Sequence, residues 1–364
     1  MKYIIQKNEG APAYIQLYKQ VREDIVTGIY PYGSKLPSKR VIADEAGIST
    51  ITVEHAYALL CDEGYVESKE RSGFFVIFRS DDGFAVPSNR KTPRIERIHN
   101  DVSVEFPFST LTKTMRSVMS SFGETILERS PNSGCDELRE AIRQHLIRSR
   151  GIYCDIEQII IGSGSEYLYT LIVELLGRER TYAIEYPSYK KIEQVYRASD
   201  VKYEMLPLGK DGIESYALRS SCADILHITP YRSFPSGITA SASKRHEYLR
   251  WANTDGRYIV EDDFESEFSM SKKPEETLFG SSPRENVIYM NTFSKTISPA
   301  LRVGYMILPR SLVSVFEEKL GFYSCTVPTY IQYVLAELIS NGDFERHINR
   351  VRRKKRKEMQ KISE

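Results

Sequence analysis

A lysine and an aspartate in separate segments have the types and settings that chemistry requires. Lys295 lies in NTFSKTISPALRVGY, directly after the apolar run NVIYM, and Asp262 ends the run RYIVED. A lysine amine whose pKa is lowered by burial and neighbouring charge can form a Schiff base with an aldehyde cofactor. A carboxylate at a strand end can pair with a protonated pyridine nitrogen and keep such a ring an electron sink. The two residues therefore predict a site for an aromatic aldehyde.

Other polar residues near these segments can hold a phosphate group. Arg302, seven residues after Lys295, can bind a phosphate through two hydrogen bonds, and the Ser294 hydroxyl adds a donor. The glycine-rich IIIGSGSEYL leads into a helix whose first backbone amides form an anion site. Tyr189, in IEYPSYKK, can stack on an aromatic ring. Each feature alone is weak evidence: a GSGS turn does not by itself indicate an anion site, and an aromatic residue in a proline turn more often serves simple packing.

The segments that carry these residues alternate between helical stretches and short apolar runs. The runs are QIIIG, TYAIEYP, ADILHITP, RYIVEDD, NVIYMN and RVGYMILP. This alternation is typical of an α/β domain with a mostly parallel sheet and helices on its faces. Because ligands in such folds sit at the carboxyl ends of strands, we expect the candidate residues along one edge of the sheet.

The first part of the chain has a different pattern. Apolar residues at helical spacing predict an amphipathic helix, namely Tyr14, Leu17, Tyr18, Val21 and Ile25. Ser38 can cap a short helix that Gly47 ends, and Ser49 can cap the next helix. Two β-rich runs, YVES and FFVIF, flank the tip KERSG and predict a hairpin. Residues 1–78 are therefore predicted to form a winged helix-turn-helix of the α+β class.

A polar segment separates the two patterns. Residues 79–103 contain Pro and Gly and show no sustained period, so we interpret them as a linker. The chain is then predicted to be multidomain, with the α/β domain over residues 104–364. A length of 364 residues suits one small module and one large one.

The second helix of the predicted helix-turn-helix carries the candidate DNA contacts. Such a helix enters the major groove, where its early residues face base edges and neighbouring groups hold phosphates. The residues in these positions are Arg40, Ser49, Thr50, Thr52 and His55. The apolar stripe alone also fits a three-helix core without DNA contact, and the net charge of +1 adds no argument for nucleic acid.

The residue strings in this region resemble the winged helix of the GntR superfamily of bacterial regulators. The segment from Pro12 to Val76 contains LPS-x-R, T-V-x-x-A-Y, L-x-x-E-G-Y and S-G-x-F-V in order. The resemblance implies contacts with double-stranded operator DNA by Arg40, by the helix start from Ser49 to His55, and by the wing at Gly73.

From Val104 onward the chain resembles the fold-type I aminotransferase body of the MocR regulators, the GntR subfamily in which that body serves as an effector sensor. ELREAIRQHLIRSRG, TPYRSFPSG, VEDDFESEF and NTFSKTISPALRVGYMILP follow the family pattern in order. The resemblance implies a pyridoxal phosphate site formed by Lys295 as the Schiff-base lysine, Asp262 at the pyridine nitrogen, Tyr189 on the ring, and Ser294, Arg302, Ser165 and the backbone amide of Glu166 at the phosphate.

Several positions depart from the two family patterns. Thr50 and Arg71 stand where many relatives have Arg and Gly, so the resemblance does not carry over the operator sequence. Phe264 replaces a tyrosine whose hydroxyl reaches the cofactor, which removes a hydrogen bond. Arg232 stands at a usual histidine, and Arg129 stands where relatives send a tyrosine into a partner's phosphate site. An arginine can hold phosphate there, with a different geometry.

The end of the chain is the largest departure. Relatives continue past the helix HINRVRRKKRKE into a small subdomain that usually supplies an arginine for a carboxylate, whereas this sequence stops at Glu364. We expect either a truncated product or a reduced regulator, in which Lys191 is the remaining candidate partner for a ligand carboxylate. The basic run over residues 350–357 is expected to be a solvated helix face.

Composition limits the classes of protein to which this chain can belong. Charged residues make up 27% and hydrophobic residues 41% of the chain, which is typical of globular proteins. The five scattered cysteines form no Cys-x-x-Cys pair, which argues against a zinc site or a disulfide framework. No apolar run approaches the roughly 20 residues of a membrane span, and the N-terminus lacks an apolar signal region. We expect a cytoplasmic protein without a metal site.

Three functional hypotheses follow from these patterns. The first is a homodimeric transcriptional regulator that binds DNA and pyridoxal phosphate and senses an amino compound or the cofactor itself. The second is an aminotransferase with an accessory DNA-binding module, which Phe264 and the missing C-terminal contacts disfavour. The third is a chain that binds DNA but neither cofactor nor ligand. An absorption spectrum with and without Lys295 separates a sensor from a bare DNA-binding protein.

Overall fold

The chain folds into two compact units, described here from a computed structural model. The described residues are 3–6, 11–70, 72–79, 106–254, 256–264, 266–269 and 275–363. The predicted linker, apart from Arg79, and the wing residue Arg71 lie outside the described residues. The two units are Met1–Ile98 and His99–Glu364.

The N-terminal unit is a winged helix-turn-helix. Its helices are α1 (Ala13–Val26), α2 (Lys39–Ala46) and α3 (Thr50–Asp62), and its antiparallel hairpin pairs β1 (Val66–Lys69) with β2 (Gly73–Val76). The apolar stripe of α1 faces the core, where Leu17, Val21 and Ile25 are buried. Burying a side chain of this kind contributes roughly 1.5–3 kcal/mol. The stripe therefore holds α1 against α3, its main neighbour.

Capping residues set the turn between α2 and α3. Ser38 Oγ accepts a hydrogen bond from the Val41 amide at 3.4 Å, and Ser49 Oγ accepts one from the Thr52 amide at 3.1 Å. Gly47 ends α2 with a φ of +63°, a left-handed conformation that glycine adopts without a Cβ clash. The predicted caps and the predicted helix end are confirmed.

The C-terminal unit is built around a mostly parallel sheet. Its described strands are β3 (Ile159–Gly162), β4 (Thr181–Tyr186), β5 (Lys202–Gly209), β6 (Gly212–Ile213), β7 (Ile225–Ile228), β8 (Tyr258–Asp262), β9 (Val287–Thr292) and β10 (Gly304–Ile307). They lie in the order β3-β10-β9-β8-β7-β4-β5-β6. Strands β6 and β10 are antiparallel to their neighbours, and the other pairs are parallel. The predicted fold class is confirmed.

Helices cover both faces of this sheet. They are α4 (Phe108–Phe122), α5 (Asp136–Arg150), α6 (Ser165–Leu176), α7 (Lys190–Ala198), α8 (Ser215–Ser220), α9 (Ala242–Ala252), α10 (Leu278–Ser281), α11 (Arg310–Leu320), α12 (Thr329–Ser340) and α13 (Asp343–Ser363). Residues of α6, α7 and α11 share a core with Val260 of β8, whereas residues of α8 and α9 share another with Ile259. Side chains alternate along a strand. Asp262 therefore lies on the α6 face of β8, and Glu261 lies on the opposite face.

Three further features bear on the classes of function. No described helix is both long and apolar enough to cross a membrane. Within the described ranges, no three or more His, Cys, Asp or Glu side chains are placed to hold a metal ion. All five cysteines are free thiols.

Candidate functional site

The carboxyl edge of the sheet brings several predicted site residues together. Gly304, which begins the antiparallel strand β10, pairs with Thr292 at the end of β9 and with Gly162 at the end of β3. The segments that follow β3 and β9 therefore adjoin the segment that precedes β10. Asp262 pairs with Met290 of β9 and lies near the same edge.

Asp262 is buried, and among the described residues only one of its two carboxylate oxygens has a hydrogen-bond partner. The Tyr169 hydroxyl donates to Oδ2 at 2.5 Å, and His227 Nε2 lies 3.6 Å from the same oxygen. Oδ1 is buried and has no hydrogen-bond partner among the described residues. Leaving a buried acceptor unsatisfied costs ~1–3 kcal/mol. A protonated ring nitrogen is a donor of the kind that Oδ1 lacks.

Sequence reasoning missed Tyr169 and His227. Burial raises the pKa of Tyr169 well above its usual value, and the charge of Asp262 raises it further, so the phenol stays protonated and acts as the donor. The Tyr196 hydroxyl lies 2.6 Å from His227 Nδ1. The available signal was a histidine inside the apolar run ADILHITP, which forms the strand beside β8.

Five residues form an anion cup at the start of α6, namely Gly164, Ser165, Glu166, Lys191 and Arg302. Arg302 Nη2 donates to Glu166 Oε2 at 2.6 Å, and Lys191 Nζ donates to Glu166 Oε1. Gly164 has a φ of +96°, and a Cβ there would lie 3.0 Å from Arg302 Nη2. Glycine thus lets the guanidinium approach the backbone closely. The first amides of α6 add the positive end of the helix dipole.

The carboxylate of Glu166 already bonds the two cationic side chains of the anion cup, Lys191 and Arg302. Burial disfavours its charged form, but hydrogen bonds from Lys191 and Arg302 outweigh this effect and lower its pKa to about 2. The carboxylate is therefore negative at neutral pH. The prediction from sequence concerned only the backbone amide of Glu166, so this carboxylate, which can compete with a phosphate, was missed.

Lys295 lies on the turn that follows β9. Its side chain is exposed, so the burial on which the Schiff-base interpretation of the sequence relied is not seen at Lys295, and Ser294 beside it is partly buried. Its amine has no hydrogen-bond or ion-pair partner in the part of the chain that the structure describes. No described contact joins Lys295 to Asp262 or Arg302. What they share is their position along the carboxyl edge.

Tyr189 lies at the same edge, because it immediately precedes α7, the helix that follows β4. Its ring meets the ring of Phe234 edge to face, with the centroids 6.1 Å apart. The residue is partly buried. The ring of Phe234 therefore supports the ring of Tyr189 on one side.

Three positions that depart from the family pattern are placed differently. Phe264 is partly buried just after β8, and Arg232 is exposed after β7. Arg129 donates to Ser324 Oγ at 2.6 Å, and no described contact joins it to the anion cup.

In the N-terminal unit, α3 presents the predicted DNA-contacting residues on its exposed side. Ser49, Thr50 and His55 are exposed, and Thr52 is partly buried. The hydroxyls of Ser49 and Thr52 lie 2.8 Å apart, so both belong to the helix cap. Ile51 is 64% exposed on the same turn and was missed from sequence. An apolar side chain at this position suits contact with a thymine methyl group.

Basic side chains surround the wing and α2. Arg40 is exposed on α2, and Gly73 begins β2 with a φ of +110°. Lys35 Nζ and Lys69 Nζ lie 6.0 and 5.1 Å from the centre of the Phe75 ring. This ring holds two positive charges beside the hairpin, where they can meet phosphates. The balanced net charge of the chain gave no sign of these lysines.

Comparison with known proteins gives a family match for each unit. Residues 13–76 match the bacterial regulatory proteins of the gntR family. Residues 103–362 match the class I and II aminotransferases. The two matches together span most of the chain, in the order in which the winged helix and the α/β body occur.

Two regulators and one enzyme structure illustrate the likeness. The uncharacterized HTH-type transcriptional regulator YdeL of Bacillus subtilis (strain 168) is 34% identical over 358 residues, which cover 95% of this chain and 77% of the relative. The probable rhizopine catabolism regulatory protein MocR of Rhizobium meliloti is 27% identical over 375 residues, which cover 96% of this chain and 76% of the relative.

The enzyme is the kynurenine aminotransferase of Pyrococcus horikoshii, whose crystal structure is in complex with PMP. It matches with a TM-score of 0.62 and 25% identity, over 68% of this chain and 64% of that chain. The chain therefore spans about three quarters of the length of the two regulators and just under two thirds of the length of the enzyme.

Proposed function

This chain belongs to the MocR-type regulators of the GntR family, in which a GntR winged helix precedes an aminotransferase-like body, and we propose that its body binds pyridoxal phosphate through Lys295. We further propose that an amino compound, or the cofactor itself, is the signal. Its binding to the body would change how the winged helix binds DNA and thereby change transcription. The observation that carries the proposal is the buried Oδ1 of Asp262, which has no hydrogen-bond partner among the described residues and lies near the sheet edge that also bears Lys295 and Arg302.

Asp262 fits the ring of this cofactor. Its Oδ2 is held by Tyr169, so Oδ1 is fixed in position to accept a hydrogen bond from a pyridine N–H. We infer that Tyr189, which follows β4, lies against the ring. When bound, pyridoxal phosphate supplies an aldehyde carbon to which primary amines add.

The anion cup fits the phosphate. Arg302, the hydroxyls of Ser165 and Ser294, and the amides at the start of α6 are donors suited to phosphate oxygens. The carboxylate of Glu166 bonds Arg302 and Lys191, and two anions that share the same cations repel each other. Glu166 must therefore turn away as a phosphate enters. We expect it to make cofactor binding weaker and more readily reversible than a neutral residue would.

Lys295 supplies the nucleophile of the proposed site. Its amine is exposed, and none of the described residues bonds it, which leaves it available to a carbonyl carbon. The same exposure would leave the aldehyde carbon of a cofactor held at Lys295 accessible to a primary amine.

The proposed output acts through two winged helices in a homodimer. With α3 in the major groove, two copies read half-sites separated by about one helical turn, roughly 34 Å, or a multiple of it. A ligand changes DNA binding only if it binds two arrangements of the dimer with different affinity. This requirement makes affinity for DNA, measured with and without ligand, the relevant output.

The match of residues 103–362 to aminotransferases favours transamination as a second candidate function. Steady conversion of an amino acid and a 2-oxo acid, abolished by Lys295→Ala, would identify the chain as an enzyme. Binding of cofactor without turnover would favour a sensor over an enzyme, and a ligand-dependent change in DNA affinity would then identify the body as a sensor.

The test of the proposed function mixes the purified chain with pyridoxal phosphate and records visible absorption. Lys295→Ala removes the nucleophile, and Lys210→Ala is the matched control, because Lys210 is exposed on the turn between β5 and β6. A new absorption band in the wild type and in Lys210→Ala, but not in Lys295→Ala, is expected. Absence of the band in all three contradicts the proposal. DNA fragments selected by the chain from a random pool then measure affinity with and without the cofactor.

A further inference from the structure

A polar cavity lies in the C-terminal unit, at a different place from the anion cup. It encloses about 240 Å³ between the end of α5, the first half of α13, and the segments that follow β7 and β8. The charged residues of its wall are Arg148, Arg150, Arg352, Glu267, Glu275 and Glu345. The wall therefore offers both positive and negative groups to a small ligand.

This cavity lies across the sheet from Asp262. The carboxylate of Asp262 bonds Tyr169 of α6, whereas the next carboxylate along the chain, Asp263, accepts a hydrogen bond from Tyr289 on the other face. Arg150, which lines the cavity, lies 3.0 Å from Asp263. A ligand in this cavity would thus occupy a different site from one held by Asp262.

Arg150 carries a buried positive charge that its neighbours satisfy only in part. Its side chain is 8% exposed and pairs with the fully buried carboxylate of Asp263. Its guanidinium lies over the ring of Tyr231, 4.2 Å from the ring centre. Nη2 lies 3.0 Å from Asp263 Oδ2 as its ion-pair partner but outside hydrogen-bond geometry, and Nε is buried without a hydrogen-bond partner among the described residues. A guanidinium has five N–H donors, so a single carboxylate leaves capacity for a second anion.

Arg352 of α13 adds a second positive charge on the same wall. Its Nε donates to the backbone oxygen of Glu267 at 2.6 Å. Burial lowers the pKa of Arg352, Glu267 opposes this, and the positive charges of Arg356 and Arg150 lower it further. Two guanidiniums that repel each other in this way favour an anion between them.

Glu267 supplies the complementary acceptor. Asn291 Nδ2 donates to its Oε1 at 2.6 Å, while Oε2 is buried without a partner in the described part of the chain. The hydroxyls of Ser149 and Ser266, which also line the cavity, are likewise unpartnered within that part. Burial and the nearby charge of Asp263 raise the pKa of Glu267 to about 7. A ligand that donates N–H groups would satisfy this oxygen.

We propose that this cavity binds a small amino acid non-covalently, with the carboxylate between Arg150 and Arg352 and the amino group at Glu267. Its volume is below the roughly 300–1,000 Å³ typical of pockets for drug-sized ligands, which suits a ligand of this size. A plain carboxylate would leave Glu267 Oε2 unsatisfied, and a plain amine would leave the two arginines unsatisfied. Only a ligand with both groups matches the wall.

The inference does not rest on pyridoxal phosphate binding. A non-covalent site on the opposite face of β8 gives the body an input that does not pass through Lys295. The test therefore uses the full chain with the substitution Lys295→Ala, prepared without cofactor. Any amino acid response is then separate from covalent chemistry at the sheet edge, and the proposed function can fail while this inference holds.

The experiment screens the common L-amino acids one at a time by thermal denaturation and measures affinity calorimetrically for the one that stabilises most. A ligand that binds only the folded chain raises the unfolding temperature. The same titration is then run with the matching carboxylic acid that lacks the amine and with the matching amide that lacks the carboxylate. Binding of the amino acid and at least tenfold weaker binding of both analogues are expected.

Two variants and one control link the response to the cavity. Arg352→Gln and Glu267→Gln are each expected to weaken binding about tenfold or more, because each removes a charge-assisted hydrogen bond. Arg353→Gln, the next residue of α13, is exposed and is expected to leave affinity unchanged. No stabilisation by any amino acid overturns the proposal. So do equal binding of the deaminated analogue and unchanged affinity in folded Arg352→Gln.

Discussion

Asp262→Asn alters the one oxygen at which we expect the ring nitrogen of the cofactor. In the wild type, Tyr169 donates to Oδ2 at 2.5 Å and Oδ1 is buried without a partner in the described residues. Asparagine has the same size, and its amide oxygen can still accept the hydrogen bond from Tyr169. Its NH₂ group then takes the place of Oδ1. The substitution removes the negative charge and turns the acceptor into a donor.

The size of the effect follows from the hydrogen bond that is lost. A hydrogen bond to a charged group contributes ~1.5–3 kcal/mol, and about 1.4 kcal/mol corresponds to a tenfold change in Kd. The Kd for pyridoxal phosphate is therefore expected to rise about 10-fold to 150-fold in Asp262→Asn. The stability of the cofactor-free chain is expected to stay the same or increase, because a half-satisfied buried carboxylate becomes a neutral amide.

Two measurements test the expected loss of cofactor affinity and the expected unchanged or increased stability. Equilibrium dialysis with pyridoxal phosphate gives the Kd, and urea unfolding without cofactor gives the free energy of unfolding. Asp155→Asn is the matched control, because that carboxylate is exposed and pairs with Arg310 at the surface. An unchanged Kd in folded Asp262→Asn refutes the role of Asp262 at the ring. A loss of stability that accompanies the loss of affinity would indicate a structural role instead.

Glu166→Gln is expected to tighten pyridoxal phosphate binding about tenfold, because a carboxylate with a pKa of about 2 no longer competes with the phosphate for Arg302; unchanged or weaker affinity in the same dialysis contradicts this. Arg40→Ala is expected to weaken DNA binding and to lower the slope of log K against log salt by about 1. Anisotropy titrations at several salt concentrations check this, and an unchanged slope excludes a phosphate contact by Arg40. Glu267→Gln is expected to flatten the pH dependence of stability. Burial and the Asp263 charge raise the pKa of Glu267 from 4.5 to about 7 in the folded chain, so its stabilising contribution is complete below pH 4.5 and is lost as the pH rises through 7. The free energy of unfolding is expected to change by at most ~3 kcal/mol from this cause. Urea unfolding near pH 5 and near pH 8 measures the change. The same pH dependence in the variant and the wild type would rule out this contribution of Glu267.

The central strands of the C-terminal unit could be predicted from sequence because they are buried on both faces. Strands β7 and β9, for example, are buried along their whole length, which produces continuous apolar runs. The caps at Ser38 and Ser49 were also visible, because a cap depends on residues three positions apart.

Strands β5 and β6 were not predicted, for the opposite physical reason. They lie at one end of the sheet, where most residues of β5 are exposed or partly buried, only Leu206 of this strand is buried, and Pro207 interrupts the strand. A polar edge strand with a proline does not read as an apolar run. Strand β6 is only two residues long, Gly212–Ile213, which is too short for a pattern.

The site could be predicted in part only. Lys295 follows a strand, Asp262 ends one and Arg302 precedes one, and the geometry of the sheet explains why these three positions lie along the same edge. The hydrogen bond from Tyr169 to Asp262 joins a helix to a strand that lies far along the chain, and no local spacing encodes it. The carboxylate of Glu166 was missed for a related reason, because its partners come from α7 and from the segment before β10.

The most direct test of the central claim is the identity of the lysine that carries the cofactor. The purified chain is incubated with pyridoxal phosphate, the linkage is reduced with borohydride, and the peptides are mapped by mass spectrometry. We predict that the added mass lies on the peptide containing Lys295 and that Lys295→Ala abolishes it, while Lys210→Ala leaves it unchanged. Added mass on another lysine with Lys295 unmodified, or no modified peptide at all, would contradict the claim that this regulator binds pyridoxal phosphate through Lys295.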